Sequence, residues 1–436
     1  MVGMKLRWLI GTLSVFALVV GGCTSSDGSD GTGDGGGGDG NGEEEVTLTL
    51  WAFEGEEAFF PTLKERFEAD HPNITLEITE IPEDNYATKV DTALAAGRPP
   101  DMGLTYEQRW FKAGAVLPLD DVIESEGIDL STFNQNAMSG CRYEDHVYCL
   151  GSYTGAVLLF YNKELFDAAG AAYPSSTEPM TIDEFATVAA QLSQPNEDLS
   201  KRVWGTIGEA PFWWSDPITH FSQDGRTAEG LMNDAPTAHL YDVMSGLVRD
   251  GYAPTGSEFE LLGTEDLLAT GQVGMAISDN LVAIDALETA GVEWGAAPVP
   301  IETSGAPVYV ASWTDQVGVF ASSEHPEEAK EFVAFLGTVG NELRIEVADQ
   351  LPLDSAAPGA ETWAEESEGR AEVMAAVALA RGAVFVPGFW DVTSPLWDSY
   401  DAMVAGDMTA QEGLDEAAPV VQENLDRAWE TWEAIS

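Results

Sequence analysis

Basic residues are scarce. Against 75 Asp and Glu, the 436-residue chain sets only 19 Lys and Arg, a formal net charge of −56 at pH 7. That excludes nucleic acid as a partner, because phosphate binding relies on Lys and Arg to displace counterions. It also argues against electrostatic attraction to an anionic membrane surface. Histidine is scarce too, and His71, His146, His220, His239 and His325 are scattered without metal-ligand spacing. There is no G-x-S-x-G elbow, no H-E-x-x-H and no P-loop. In so acidic a chain a pair of carboxylates suited to glycoside hydrolysis is trivial to find and carries little information. An enzyme is therefore not expected, nor a metal or other cofactor. Past residue 20 no apolar run is long enough to span a bilayer, and no self-similar period is present.

What is present is core-forming material. With 44% hydrophobic and 10% aromatic residues, the chain can fill two domains of ordinary size. Acidic residues run through its whole length, which reads as a solvated, halophile-like surface kept soluble by self-repulsion. The alternative is an acidic cleft for a cationic ligand. At the N-terminus Lys5 and Arg7 precede the apolar run Leu9 to Val20 and then Gly21-Gly22-Cys23. Residues 1–22 read as a signal peptide. The pattern resembles a bacterial lipobox, which implies diacylglycerol on Cys23. Thr24 to Glu45 is almost entirely Gly, Asp, Ser and Glu, the composition of a flexible, charge-extended tether. Residues 23–45 would thus anchor a folded domain at the cell surface, outside the cytoplasmic membrane, without spanning it. Cys141 and Cys149 remain as an even pair, which in an exported chain reads as a disulfide across a tight hairpin. Metal binding by the pair and a neighbouring His is the alternative.

From Val46 onward strand and helix patterns alternate. Val46, Leu48 and Leu50 alternate with threonines and lead into Trp51; Ile74, Leu76 and Ile78 alternate again; Met102–Leu104 is a short apolar strand. Between them Ala58–Ala69 and Asn85–Ala96 carry helical spacing, the second stopped by Gly97. Further strands are expected at Val157–Tyr161 and Val273–Ile277. Further helices are expected at Lys163–Ala169, Thr181–Leu192, Ala238–Arg249, Thr264–Leu268 and Pro326–Leu336. Thr181 and Glu184 form a capping box, and Pro419 should kink or split a helix over Thr409–Trp432. Units of this kind imply mostly parallel sheets covered by helices.

Several ordered segments carry a resemblance. Gly114 to Asp121 matches a "G-x-L-x-P-L-D-D" element, and Tyr143 to Leu150 stands where a "Y-D-G-K-x-Y-G-L-P" hairpin is expected. Leu159 to Phe166 matches "L-x-Y-N-K-D-L-F", Thr181 to Phe185 "T-W-D-E-F", and Ser323 to Leu336 "S-K-N-P-E-E-A-x-x-F-L-x-F-L". Gly271 to Ala276 and Pro298-Val299-Pro300 fall between them in order. The set covers nearly all of Val46 to Ser436 and resembles the extracellular solute-binding proteins of bacterial ABC-type importers, carbohydrate class, the group that includes maltose-binding protein. Two departures, Gly151-Ser152 and Ala311-Ser312-Trp313, fall near the expected cleft. The resemblance implies an α/β fold of two lobes, type II-like, each a mostly parallel sheet flanked by helices, with the ligand cleft at the hinge. Lobe one would be 46–153 plus 301–358 and lobe two 154–300 plus 359–436. The implied function is capture of a sugar by hinge closure and delivery to ABC importer permease subunits, with a monomer expected.

A sugar offers C–H faces that want flat aromatic surface and hydroxyls that want carboxylates, amides or guanidinium groups. The candidate aromatics are Trp51, Trp213, Trp214, Trp313, Trp390 and Trp397, with Tyr106. The candidate polar groups are Glu56, Glu57, Glu107, Arg109, Asp279, Asn280 and Asp315. Most follow a strand, at the edge where open parallel sheets bind ligands. The rival readings are a cationic solute such as a polyamine on the same fold, favoured by carboxylate-rich loops, and a secreted glycoside hydrolase.

Overall fold

The computed structural model describes residues 45–435 apart from 57, 216–218, 263–266, 307 and 381–383, and the side chains of 260–262. The expected signal peptide, Cys23, nearly all of the expected tether and Glu57 therefore lie outside the described residues. So does most of the helix expected over Thr264–Leu268, beside which Leu268–Thr270 forms a 3-10 turn.

The strands in chain order are β1 Val46–Phe53, β2 Ile74–Ile81, β3 Met102–Leu104, β4 Arg142–Tyr143, β5 His146–Val147, β6 Gly155–Asn162, β7 Trp204–Thr206, β8 Val273–Asp279, β9 Trp294–Ala297, β10 Ser312–Trp313 and β11 Val317–Val319. The first sheet runs β11-β3-β1-β2; β2, β1 and β3 are parallel and β11 is antiparallel. In β1 the alternation does what it predicts: Val46, Leu48, Leu50 and Ala52 face the core. Helix Phe59–Asp70 covers that sheet with Phe59, Phe60, Leu63 and Phe67. Phe67 meets Phe332 of helix Pro326–Ala348 edge-on at 5.0 Å.

The second sheet runs β10-β6-β8-β7, with β9 also on β6. All eight residues of β6 are buried, as a central strand covered on both faces requires. Here the expectation of a mostly parallel sheet fails. Only β7 and β8 are parallel, and β6 runs antiparallel to β8, β9 and β10. The chain enters β6 from the β4–β5 hairpin through Gly151–Thr154, so no crossover helix within the second sheet forces it to run with its neighbours.

The expected return to lobe one at residue 301 also falls early. Ile301 is bonded to Met180, and Ser312–Trp313 pair with Ala156 and Gly155 of β6. The chain rejoins the first sheet only at Val317. Pro298 and Pro300 end β9, but the start of β6 is still unpaired there and takes up β10. One core gathers residues from Val46–Leu150 and Val317–Leu353. Two further clusters fill the other lobe, drawing on 156–310 and on the C-terminal helices.

Two local expectations sharpen. Thr181 and Glu184 close their capping box, and Thr409 and Glu412 form another. Pro419 does not split its helix: Ala410–Ala434 is continuous, its face of Leu414, Ala417, Ala418, Val421 and Leu425 buried against helices Ala235–Arg249 and Pro395–Ala405. That burial outweighs the lost backbone bond. Cys141 and Cys149 form the disulfide, bracketing β4 and β5 with Glu144 at φ 52° in the turn.

Candidate functional site

The candidate residues separate into three groups. The first lies where the chain passes between the sheets, at Gly151–Thr154, Thr314–Gln316 and Leu351–Asp354. Arg344, fully buried at 0% exposure, joins these segments. Its guanidinium donates to Glu56 at 2.5 Å, Asp315 at 3.1 Å, Ser152 Oγ at 2.9 Å and Gln350 at 3.2 Å. It stacks on Phe59, 3.4 Å from the ring centroid, with Tyr153 at 4.8 Å. Asp315 also accepts from Ser152 N at 2.6 Å, Ser152 Oγ at 2.7 Å and Thr314 Oγ1 at 2.9 Å. A side chain at Gly151 would run into Thr314 and Asp315, which is why the first sequence departure is a glycine. Glu56 and Asp315 thus have partners before any ligand arrives. So does Asn280, which accepts from Ala156 N at 2.6 Å and donates to Thr154 O at 3.1 Å. Asp279 caps its own helix through Leu281 N at 2.8 Å, and burial pushes its carboxyl up to about 6. Trp313 sits half-buried against the start of β6.

The second group lies on the first lobe. Tyr106 packs among Phe53, Tyr86 and Trp110, each centroid 5.9 Å away. Burial, with Glu107 beside it, pushes its hydroxyl up to about 12. Arg109 holds Glu107 at 3.2 Å and Asp91 at 3.0 Å, so this cation is already shared between two carboxylates. Trp51 is half-buried with the Lys89 ammonium 4.6 Å from its ring centroid.

The third group is a wall on the second lobe. Residues 209–215 and 219–221 meet helices Phe389–Thr393 and Pro395–Ala405. Phe212 packs edge-on against Trp397 at 4.7 Å, and Phe389 lies 6.1 Å from Phe221 and 5.2 Å from Trp390. Two regions almost 180 residues apart in sequence, carrying Trp213 with Trp214 and Trp390 with Trp397, are therefore brought together. Trp390 is 59% exposed and Trp397 37%, unusual for so large an apolar side chain. Trp213 is half-buried. Trp214 is fully buried in the core and presents no open face.

In the same segments buried polar atoms lack partners: Trp213 Nε1, Trp214 Nε1, Ser215 Oγ, His220 Nδ1 and the Tyr400 hydroxyl. Each unpaired buried group costs about 1–3 kcal/mol. Glu209 adds a carboxyl that burial pushes up to about 7; the Trp213 indole holds it down in part without closing a hydrogen bond. His220 bonds the Tyr241 hydroxyl at 3.0 Å, and burial drives its ring down to about 3, so it is neutral.

Sequence reasoning did not single out Glu209, His220, Tyr400, Tyr153 or Arg344. Arg344 had a signal, a rare cation flanked by Leu343 and Ile345. Tyr400 had none. A broad depression of about 830 Å3, lined among others by Ser355, Glu361, Glu365 and Glu368, shares no residue with the three groups. None of the unpartnered polar atoms belongs to its lining. Among the described residues no cluster of His, Cys, Asp and Glu is arranged to hold a metal ion, and no helix is long and apolar enough to cross a membrane.

The profile of the bacterial extracellular solute-binding proteins matches residues 53–342. The chain belongs to this family. A putative binding protein of Brucella abortus is 28% identical over 293 residues, covering 64% of this chain and 68% of that one. An uncharacterized ABC transporter extracellular-binding protein of Pyrococcus horikoshii is 25% identical over 319 residues, 66% of each. Among solved structures, the ABC substrate-binding protein of Listeria monocytogenes in complex with cycloalternan superposes with a TM-score of 0.73 at 22% identity, over 88% of this chain and 100% of that one. The GacH receptor of Streptomyces glaucescens, solved unliganded and with acarbose, gives 0.70 at 21%, over 88% and 99%. The maltose/maltodextrin-binding domain of Bdellovibrio bacteriovorus bound to maltotriose gives 0.67 at 18%, over 87% and 100%. These likenesses establish the two-lobed fold of this solute-binding protein.

Proposed function

We propose that this solute-binding protein captures a mono- or oligosaccharide between its lobes and hands it to the permease of an ABC importer. The observation that carries the reading is the second-lobe wall. Exposed Trp390 and Trp397 offer faces for sugar C–H surface. The unpartnered groups of Trp213, Ser215, His220 and Tyr400 in the same segments mix donors and acceptors as hydroxyl recognition requires. The solved relatives named with cycloalternan, acarbose and maltotriose support the ligand class. Trp313, Tyr106, Asp279, Trp51 and the Arg109–Glu107 pair are the remaining candidates for contact, whereas Glu56, Asp315 and Asn280 act by holding the hinge. Those pairings leave fewer free carboxylates at the hinge for a cation, which weighs against a polyamine. We further infer that Cys23 carries the lipid anchor and that the protein works as a monomer.

Titration of the purified protein in molar salt with sugars and with polyamines, followed by Trp fluorescence and melting temperature, tests the reading. A saturable response to one sugar class with a raised melting temperature is expected. A response to polyamines alone would move the ligand to the carboxylates and end the sugar assignment.

A further inference from the structure

Resting on the sugar-binding reading, we propose that Gln316 is the residue at the hinge that accepts a hydrogen bond from a ligand hydroxyl. Two anomalies meet at this residue. Its backbone is left-handed, φ 46°, in a residue with a Cβ. The two other such residues among those described have local reasons: Glu144 turns the β4–β5 hairpin and Asp349 ends helix Pro326–Ala348. Gln316 ends no helix and turns no hairpin. It lies on the second passage between the lobes, after Asp315, which Arg344 and Ser152 hold, and before β11. Its carbonyl is pinned by Thr105, whose N donates at 2.8 Å and Oγ1 at 3.1 Å.

The side chain is 8% exposed, and its amide oxygen has no hydrogen-bond partner. The amide nitrogen rests against the turn Ala137–Cys141, where any side chain at Gly140 would collide with it. Ser312 Oγ, on the same passage, is likewise buried and unpartnered. The bonds from Thr105 fix the backbone, but among the described residues none pairs with the amide oxygen. Backbone strain held in place by fixed neighbours, next to an unsatisfied polar group, is what a residue shaped for a ligand shows. An uncharged amide suits a neutral polyhydroxy ligand, since it accepts from a hydroxyl without asking for a counterion. Its bonds to Thr105 and its contact with the Ala137–Cys141 turn hold the amide on the first lobe's side of the passage, so that closure of the lobes brings the ligand to a fixed acceptor.

The test uses the full-length protein in molar salt, with glucose, mannose, maltose, maltotriose and mannotriose as probes. Q316G removes the amide and relieves the left-handed strain. The empty variant should melt about 1–3 °C higher, while affinity for the sugar that binds the wild type falls about three- to tenfold. Q316N keeps an amide that tolerates the left-handed backbone but withdraws it by one methylene. It should lose the same affinity without the gain in melting temperature. Unchanged affinity in both variants would overturn the proposal. So would a lower melting temperature or failure to fold in Q316G, because the side chain would then be packing support for the Ala137–Cys141 turn. Should the wild type answer none of the sugars, the sugar reading falls by itself. The melting arm then decides here, a rise keeping Gln316 as a strained functional residue and a fall rejecting it.

Discussion

The hinge around Arg344 and the wall around Tyr400 are both buried, polar and aromatic, yet they are finished to different degrees. At the hinge the guanidinium has four acceptors and two aromatic rings, and Asp315 accepts from four groups. At the wall two indole nitrogens, two hydroxyls and an imidazole nitrogen have none. Leaving buried polar groups unpaired destabilises the empty protein, so the wall carries a cost that the network around Arg344 does not.

The largest expected effect attacks the finished side. R344A would leave Glu56 and Asp315 without their shared cation and should cost about 3–5 kcal/mol of unfolding free energy in denaturant titration. A cost below 1 kcal/mol would mean that the hinge network is not what ties the passages together. S152A removes one hydroxyl that both donates to Asp315 and accepts from Arg344, and should cost about 1.5–3 kcal/mol.

On the unfinished side the sign changes with pH. The Glu209 carboxyl titrates near 7 in the folded chain against 4.5 unfolded, so the native state holds the extra proton between those values. Its contribution is fully present below pH 4.5 and is lost as pH rises through 7. E209Q should be more stable than wild type at pH 8, by on the order of 2 kcal/mol, and equal to it near pH 4. Parallel curves across that range would place Glu209 in water.

W390A should weaken sugar binding by about 1–1.5 kcal/mol while leaving the unfolding midpoint nearly unmoved, because the ring is mostly exposed. An unchanged dissociation constant would take the wall out of the site. Smallest is Y400F, which removes an unpaired hydroxyl and should stabilise the empty protein by about 0.5–1 kcal/mol, the reverse of S152A. A loss of stability there would erase the contrast between the two regions.

Much of this was legible in residue order. The alternation of Val46 to Leu50, the Thr181–Glu184 box and the paired Cys141 and Cys149 each specify a local outcome through a period, a cap or a cross-link. The motif set from Gly114 to Leu336 pointed to the family whose profile matches. Tryptophans could be picked as candidates, but not sorted: Trp390 is exposed and Trp214 buried although both stand in similar aromatic runs. The carboxylates were harder still. Glu56, Asp315 and Glu107 read alike in sequence, and only the rare arginines that fold against them decide which ones are already engaged.

By itself, then, the sequence determined the elements, their caps, the disulfide, the acidic surface and the family, because all of these rest on contacts between near neighbours or on composition. The tertiary structure alone decided that β6 runs against its neighbours, that the chain rejoins the first lobe after Trp313 rather than at residue 301, and which polar groups are left without partners. Those outcomes depend on pairs such as Arg344 with Glu56, 288 positions apart. No periodicity records a pairing at that distance, since it comes from how helix Pro326–Ala348 packs beside the loop after β1.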